Sequence, residues 1–489
     1  MARDRLTGLA VLLAALAAGC GGAGPEKAGG PAEPSVLTMA NGYADLTFEP
    51  AVAYFVQRVA ERSHGALRIR VVGDWGLVKN VEQAGFEQRI VGDVASGTAD
   101  LAWVGTRVFD TLGANGFRAL TAPMLVDRYG LERAVLRSPI PEQMLAGLRR
   151  LHVRGLAVLA DSLRKPIAVR RALLRPADWS GLVFATVRSA TQAGAVRALG
   201  ARVSNLWGAP LGDAVAAGKV QAFEKSLPLY ELTGQEEVAP YVTVNVNLWP
   251  QTIALIANPR RLGGRAAGWL REAAHDAVTR SLALADRDTV AAAELCRRGA
   301  RFETASAADL VALRRAFVPV YRTLERDPQT RRFIAQIERL KRATPADPPL
   351  PLRRACSGVA PARGSVAGTP AAGDQHALDG VYRVAWTRAD LLRAGTSPLF
   401  ARETYGVTTM TLRGGRAAVR TVPSLGTPVC GADYRLDGRV LAFAFTSVCS
   451  GAFTASWSLR GNELRLRVLR GEDPGDPVFW GGKPWRRLG

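Results

Sequence analysis

A segment rich in proline, alanine and glycine, residues 345–375, divides the sequence into two parts with different residue patterns. Before it, short β-like runs alternate with helical periodicity, and after it only strand-like alternation remains. A segment of this composition is predicted to be a linker. A chain of 489 residues is long enough for about three structural units. The sequence therefore predicts two separately folded regions, residues 36–344 and 376–489.

The first region shows the pattern of an α/β protein. Val52, Phe55 and Val59 recur at helical spacing before Gly65, and residues 67–71 (LRIRV) then alternate like a strand. From residue 266 to about 341 the pattern is almost wholly helical. Strands that alternate with helices and then give way to helices predict an α/β fold of two lobes with a helical C-terminal stretch.

The second region has the pattern of hairpins. Two-residue turns at Gly414-Gly415, Asp437-Gly438 and Gly461-Asn462 separate alternating runs, and such turns need residues that tolerate positive φ. At least seven short strands follow one another. We therefore predict a separate all-β antiparallel barrel or sandwich.

The charge and the histidines exclude two classes of function. The formal net charge is +21, but the arginines are scattered rather than gathered into a stripe with interleaved aromatic residues, so nucleic-acid binding is not predicted. The four histidines lie in no nucleophile elbow, zinc-type or Cys/His arrangement, and no glycine-rich phosphate loop is visible. The sequence predicts no enzyme, no metal and no cofactor.

The first twenty residues have the pattern of an export signal. Arg3 and Arg5 precede an apolar stretch, residues 6–16, that is too short to span a bilayer, and small residues lead into Cys20. This resembles a bacterial lipoprotein signal, in which the cysteine carries the lipid; the alternative is an ordinary signal peptide with a chance cysteine. Residues 21–35 are predicted to be a flexible tether. The mature protein would be anchored by lipid to the outer face of the cytoplasmic membrane.

The other four cysteines form an even set, which suits an oxidising compartment. Four cysteines allow three pairings, and the division into two folded regions favours Cys430–Cys449 and Cys296–Cys356. None has the spacing of metal ligands.

Three segments of the first region stand out as a set: residues 94–101 (VASGTADL), 174–182 (LRPADWSGL), and 199–201 (LGA) followed by 217–224 (AGKVQAFE). In their order and spacing they resemble the solute-binding proteins of TRAP transporters, the dicarboxylate-binding (DctP-type) family. The resemblance covers about residues 36–344. It implies a two-lobed periplasmic-binding-protein-like fold, a small anionic solute, and small and large membrane subunits as partners.

The same resemblance implies an arginine clamp for the carboxylate of the solute, because a guanidinium forks onto both oxygens. The family's arginine position corresponds to Ala185, a departure from the pattern. Arg164 matches a second substrate-facing arginine, and Arg188 could reach in from the strand end. The alternative for both arginines is a solvated surface charge.

Further pocket candidates lie where strands end, since ligands of open α/β sheets gather there. They are Trp103, Thr106, Glu224, Lys225, Asn247 and Trp249. Lys225 replaces a frequent asparagine of the family and could restore the charge absent at Ala185. The alternative for the tryptophans is core packing.

The barrel region loosely resembles lipocalin-like barrels, with residues 380–386 (GVYRVAW) at its start and 484–487 (PWRR) at its end. A closed barrel pairs its first and last strands. We predict core positions for Trp386 and Trp485 rather than a ligand role. The barrel could bind an apolar solute, a cell-surface polymer or nothing.

The function predicted from the sequence is capture of an organic anion by a lipid-anchored extracytoplasmic protein for a TRAP-type transporter. The rival is a cell-surface sensor or scavenger whose β-domain docks a partner, since simple transport needs no second domain.

Overall fold

The structure is a computed structural model. It describes residues 34–43, 49–73, 85–207, 217–233, 238–352, 376–396, 404–422, 429–445, 452–471 and 475–488, and between these ranges residues 46, 75, 211, 212, 214, 215, 235, 236, 356, 400 and 401. None of the helices in these ranges combines the length and apolar character needed to cross a bilayer. The predicted signal, Cys20 and the tether fall outside these ranges, as does Cys449.

The first lobe is built on a five-stranded sheet in the order β2-β1-β3-β11-β4. Its strands are β1 (Ser35–Ala40), β2 (Leu67–Val72), β3 (Leu101–Gly105), β4 (Arg154–Leu159) and β11 (Ile253–Ala257). β1 runs parallel to β2 and β3, whereas β11 is antiparallel to β3 and β4. β3 and β11 are buried along their whole length, which explains why both read as continuous apolar runs.

The second lobe is built on another sheet, in the order β12-β9-β5-β8-β6-β7 with β10 paired to β5. Its strands are β5 (Leu163–Ala168), β6 (Val183–Ala185), β7 (Arg202–Ser204), β8 (Ala222–Lys225), β9 (Tyr241–Thr243), β10 (Trp249–Pro250) and β12 (Arg301–Glu303). β5 is antiparallel to both β8 and β9.

Helices cover both sheets. They are α1 (Pro50–Arg62), α2 (Phe86–Ser96), α3 (Tyr129–Leu136), α4 (Ile140–Ala146), α5 (Ala190–Ala198), α6 (Leu227–Thr233), α7 (Gly264–Leu284), α8 (Asp288–Arg297), α9 (Ala307–Ala316), α10 (Val318–Leu324) and α11 (Pro328–Ala343). α1 starts at Pro50, whose ring fixes φ for a first turn, and buries Val52, Phe55 and Val59 on one face. The predicted α/β fold and helical C-terminal stretch are confirmed.

The chain passes between the two sheets three times. The first passage, 160–162, joins β4 to β5; the second, 251–252, joins β10 to β11; and the third, 285–287, joins α7 to α8. The first two are tied together, because the Gln251 amide donates a hydrogen bond of 3.2 Å to the Ser162 carbonyl. Short parallel passages of this kind form a natural hinge between two lobes.

Residues 380–488 form a closed barrel of eight antiparallel strands. They are β13 (Gly380–Trp386), β14 (Gly406–Arg413), β15 (Arg416–Val422), β16 (Cys430–Asp437), β17 (Val440–Phe445), β18 (Ala452–Arg460), β19 (Glu463–Gly471) and β20 (Trp485–Leu488), with helices α12 (Arg388–Arg393) and α13 (Asp476–Gly481). β13 pairs with β20 and closes the barrel, and the three predicted two-residue turns join consecutive strands.

The barrel is packed with aromatic side chains. Trp480 of α13 stacks on Phe453 with ring centroids 4.6 Å apart and on Trp485 at 5.5 Å. Trp485 is fully buried and Trp386 is 5% exposed, so both tryptophans belong to the core, as the sequence predicts.

A disulfide joins α8 to the segment that follows the first region. Cys296 and Cys356 are bonded, with their Cα atoms 5.4 Å apart. Nearby, Leu350 and Leu352 pack against the apolar cluster of the second lobe. The pairing of Cys430 with Cys449 stays a prediction, since Cys449 is not among the described residues.

A buried ion pair attaches the barrel to the second lobe. Arg420 of β15 donates to a carboxylate oxygen of Glu236, and the two residues are 8% and 2% exposed. A second cation, Arg298 directly after α8, lies 3.9 Å from the same oxygen. The barrel is therefore docked against the loop that follows α6.

We expect Arg420→Ala to lower the free energy of unfolding by about 2 kcal/mol. This loss is smaller than that expected for a buried ion pair with no other cation nearby, because Arg298 remains close to Glu236. Urea denaturation of the full chain measures this loss. Arg435→Ala, which removes an exposed arginine of the neighbouring strand, is the matched control and should change little. Equal unfolding midpoints for the two variants would show that the ion pair does not hold the barrel in place.

Candidate functional site

A cavity of about 310 Å³ lies between the two lobes. Residues of all three passages line it, among them Asp161, Gln251 and Arg287. The remaining wall comes from strands, helices and loops of both lobes, so the cavity is shared by the two lobes. Its position between two hinged halves and its size are typical of a small-molecule site.

Aromatic rings from both lobes form much of the cavity wall. Tyr43 stacks on Trp103 with ring centroids 5.3 Å apart, and Phe86 stacks on Trp207 at 4.6 Å. The Trp103 indole N–H donates a 3.1 Å hydrogen bond to Asn41 Oδ1, which fixes the ring. Trp103, which the sequence predicts as a pocket candidate, thus lies in the wall of this cavity.

Arg164 reaches the cavity from β5 of the second lobe. It is 8% exposed, and its Nε lies 3.6 Å from Glu224 Oε2 on the adjacent strand β8. Neither of these two atoms has a hydrogen-bond partner among the described residues. The guanidinium is therefore buried at the cavity wall with donor capacity left for a ligand.

Lys225 follows Glu224 and also lines the cavity. Its ammonium donates a 2.7 Å hydrogen bond to Thr233 Oγ1 of α6. Burial lowers the pKa of Lys225 to about 7, helped by the Arg164 guanidinium and opposed by Glu224 and Glu236. Lys225 thus changes charge near neutral pH, and a bound anion would favour its protonated form.

Arg107 is a buried cation that the sequence did not single out. It lies in the 3₁₀ turn after β3, is 5% exposed, and forms an ion pair with Glu87 of α2, which also accepts the Gly105 amide at 2.8 Å. The guanidinium passes so close to Gly105 that a Cβ there would lie 1.8 Å from it. Only glycine fits at position 105 while Arg107 faces the cavity.

Two carboxyl groups, Glu49 and Asp161, complete the polar wall. Glu49 precedes α1 but makes no capping hydrogen bond with it. Burial, together with the negative charge of Asp161, raises the pKa of Glu49 well above its usual range. Burial likewise raises the pKa of Asp161, against the pull of Arg164. Such shifts mark groups held in a site rather than in solvent.

Four residues predicted for the pocket lie outside its wall. Arg188 is exposed, with its guanidinium beside Gly85. The Thr106 hydroxyl bonds to that of Thr252 at 2.5 Å, and the Asn247 amide donates to the Asp127 carbonyl at 2.8 Å. Trp249 is 1% exposed and belongs to the core. These side chains are already engaged in the fold or face solvent, so the structure assigns them no contact with a ligand in this cavity.

The acidic, histidine and cysteine side chains of the described ranges form no group of three or more that could hold a metal ion. The cations, carboxyls and stacked rings of the cavity are instead groups that bind and orient a polar organic molecule.

A two-lobed fold with a shared cavity at its hinge defines a periplasmic-type solute-binding protein. The profile of the bacterial extracellular solute-binding proteins, family 7 (DctP), matches residues 41–327, and the chain belongs to this family. Its members bind substrates and are not enzymes, which confirms the prediction of a non-catalytic protein. No curated protein matches the chain.

Solved structures with the same fold are TRAP periplasmic solute-binding proteins. One from Xanthobacter autotrophicus with bound β-D-galacturonate is 19% identical, with a TM-score of 0.55 over 62% of this chain and 99% of its own. One from Ralstonia eutropha with bound (S)-2-acetolactate is 18% identical, with a TM-score of 0.57 over 63% and 99%. The galactonate-bound sugar acid binding protein of Advenella mimigardefordensis is 18% identical, with a TM-score of 0.56 over 63% and 99%.

Proposed function

We propose that this protein captures a small carboxylate-bearing solute outside the cytoplasm and delivers it to a TRAP-type transporter with small and large membrane subunits. The observation that carries the proposal is the cavity between the lobes, with Arg164 and Lys225 on adjacent strands of its wall. The acids bound by proteins of the same fold support it.

Arg164 and Lys225 replace the clamp that the family pattern leads one to expect at Ala185. Ala185 lines the cavity but offers no charge. The solute carboxylate would accept hydrogen bonds from the Arg164 guanidinium and compete with Glu224 for it. Lys225 would supply the second positive charge. Closure of the lobes over the solute would then shift an equilibrium between open and closed states.

A thermal-shift screen of the full chain tests the proposal. Uronates, aldonates, 2-oxo acids and amino acids are added singly, with the corresponding neutral sugars as controls. At least one acid should raise the melting temperature in a concentration-dependent way, because a ligand that binds only the folded state stabilises it. A panel in which neutral sugars act as well as acids, or in which nothing acts, would contradict the proposal.

Lys225 makes a prediction about pH. Since its pKa lies at about 7 and a bound anion raises it, carboxylate binding takes up a proton above that pH. The affinity for the acid found in the screen should fall as pH rises from 7 to 8.5, by up to about tenfold per unit. Calorimetry with the wild type and with Lys225→Met measures the slope. If the affinity of the variant depends on pH as strongly as that of the wild type, the proton taken up on binding belongs to a group other than Lys225.

Lipid anchoring at Cys20 is part of the same proposal. The wild-type protein should sediment with membranes and carry a lipid on its N-terminal cysteine by mass spectrometry. Cys20→Ala should abolish the lipid and release any exported protein to the soluble fraction. A wild-type mature protein that begins at another residue and carries no lipid would favour the ordinary signal peptide instead.

The sensor or scavenger role remains a second candidate because of the barrel. Glu236, which binds Arg420 of the barrel, adjoins Gln235, which lines the cavity. A partner bound to the barrel could therefore respond to the state of the cavity. Gene deletion distinguishes the two functions: loss of uptake of the identified solute indicates transport, and unchanged uptake indicates sensing or scavenging.

A further inference from the structure

A site for a simple anion should contain more positive than negative groups, but the charged side chains around this cavity do not show such an excess. Three buried or half-buried cations, Arg107, Arg164 and Lys225, face four carboxyl groups. Two of these, Glu87 and Glu224, lie opposite Arg107 and Arg164. The other two, Glu49 and Asp161, form no ion pair with any residue that the structure describes. Two further charged residues line the cavity: Arg287 is exposed, and Glu231 pairs with Arg298.

A second observation concerns the hydrogen-bonding atoms of Arg164 and Glu224 in the cavity wall. Arg164 and Glu224 are more than nine-tenths buried, and Arg164 Nε and Glu224 Oε2 each lack a hydrogen-bond partner among the described residues. Buried polar atoms of this kind cost free energy unless a ligand satisfies them. The cavity thus offers an unsatisfied donor from Arg164 and an unsatisfied acceptor from Glu224. Glu49 and Asp161 add two carboxyl groups without an ion-pair partner among the described residues, although Asp161 Oδ1 accepts the Ser162 amide at 2.6 Å.

We propose that the solute carries an ammonium group as well as a carboxylate, with the carboxylate on Arg164 and Lys225 and the ammonium between Glu49 and Asp161. This inference rests on the proposed function and narrows its substrate class from organic acids to amino acids or amino-sugar acids. Two carboxylates that interact within one cavity repel each other when both are ionised, and an ammonium placed between them removes that repulsion. It also donates three hydrogen bonds, which suit two carboxylates.

The aromatic wall is consistent with the same ligand. Tyr43 and Trp103 line the cavity together with Glu49, and a cation over such a ring gains additional attraction. A sugar acid with hydroxyl groups alone would instead require Glu49 and Asp161 to remain protonated and to donate hydrogen bonds to it. An ammonium-bearing solute and a hydroxyl-only sugar acid therefore predict opposite orders of affinity when ligands that differ only in this group are compared.

Matched ligand pairs distinguish them. Calorimetry on the full chain compares acids that differ only in one group, such as 2-amino-2-deoxygluconate with gluconate and L-glutamate with 2-hydroxyglutarate. The ammonium member of at least one pair should bind ten times more tightly or better than its hydroxyl partner. Equal or tighter binding of the hydroxyl members throughout overturns the inference and leaves the proposed function standing. Absence of binding by both members of every pair and by uronates overturns both.

Glu49→Gln and Asp161→Asn keep the size of each side chain and remove its charge. In either variant the ammonium ligand should lose at least tenfold in affinity, whereas the hydroxyl partner should keep or gain affinity. Unchanged preference in both variants would overturn the assignment of the ammonium subsite. Glu142→Gln, at an exposed acid on α4, is the matched control and should leave both affinities as in the wild type. Circular dichroism melting shows whether each variant is folded.

Discussion

Replacing Arg164 by alanine is expected to weaken binding of the preferred carboxylate ligand by roughly 100-fold, or about 3 kcal/mol. The side chain is 8% exposed on the cavity wall, and its Nε has no hydrogen-bond partner among the described residues; its loss also leaves Glu224 facing the ligand without its ion-pair partner. The repulsion between Glu224 and the incoming carboxylate adds to the lost hydrogen bonds. Calorimetry with the ligand identified in the screen measures the change.

Two further variants make this result specific. Arg171→Ala removes an exposed arginine of the same lobe and should leave the affinity unchanged. Arg164→Lys keeps the charge but loses the forked geometry, so part of the affinity should return. Binding by Arg164→Ala that matches the wild type would show that the carboxylate sits elsewhere.

Lys165→Met is expected to destabilise the protein by about 3–5 kcal/mol. Lys165 is the residue after Arg164 on β5, and it is 2% exposed. Its ammonium donates a 2.6 Å hydrogen bond to Asp288 Oδ2. Asp288 is the first residue of α8, directly after the third passage between the lobes. Loss of the lysine leaves a buried carboxylate without its cation at the hinge.

Urea denaturation of Lys165→Met measures this effect, with Lys219→Met at an exposed lysine as the control. The double variant Lys165→Met/Asp288→Leu should recover much of the loss, because it removes both buried charges together. A single variant as stable as the control would mean that the pair does not support the hinge.

The division of the chain and the fold class could be predicted from the sequence because local patterns determine them. Turns such as Asp437-Gly438 need positive φ, and Gly438 has φ +55° where β16 and β17 meet. Likewise, β3 coincides with an apolar run after Gly97, the glycine with φ +89° that ends α2. These features need no knowledge of distant contacts.

The cavity could be predicted only in part. Arg164, Glu224 and Lys225 were found through a family pattern and the rule that ligands gather at strand ends. Arg107, Glu49 and Asp161 carry no motif, and their burial arises only when three passages between the lobes bring distant segments together. The signal for Arg107 in the sequence is the glycine two residues before it, since a Cβ at position 105 would lie 1.8 Å from the Arg107 guanidinium and would force it to move.

The most direct test of the central claim is a crystal structure of the full chain with the tightest ligand from the screen. We expect the ligand in the cavity between the lobes, with its carboxylate oxygens about 2.8 Å from the Arg164 guanidinium. A ligand bound outside this cavity, or one that turns its carboxylate away from Arg164, would contradict the account.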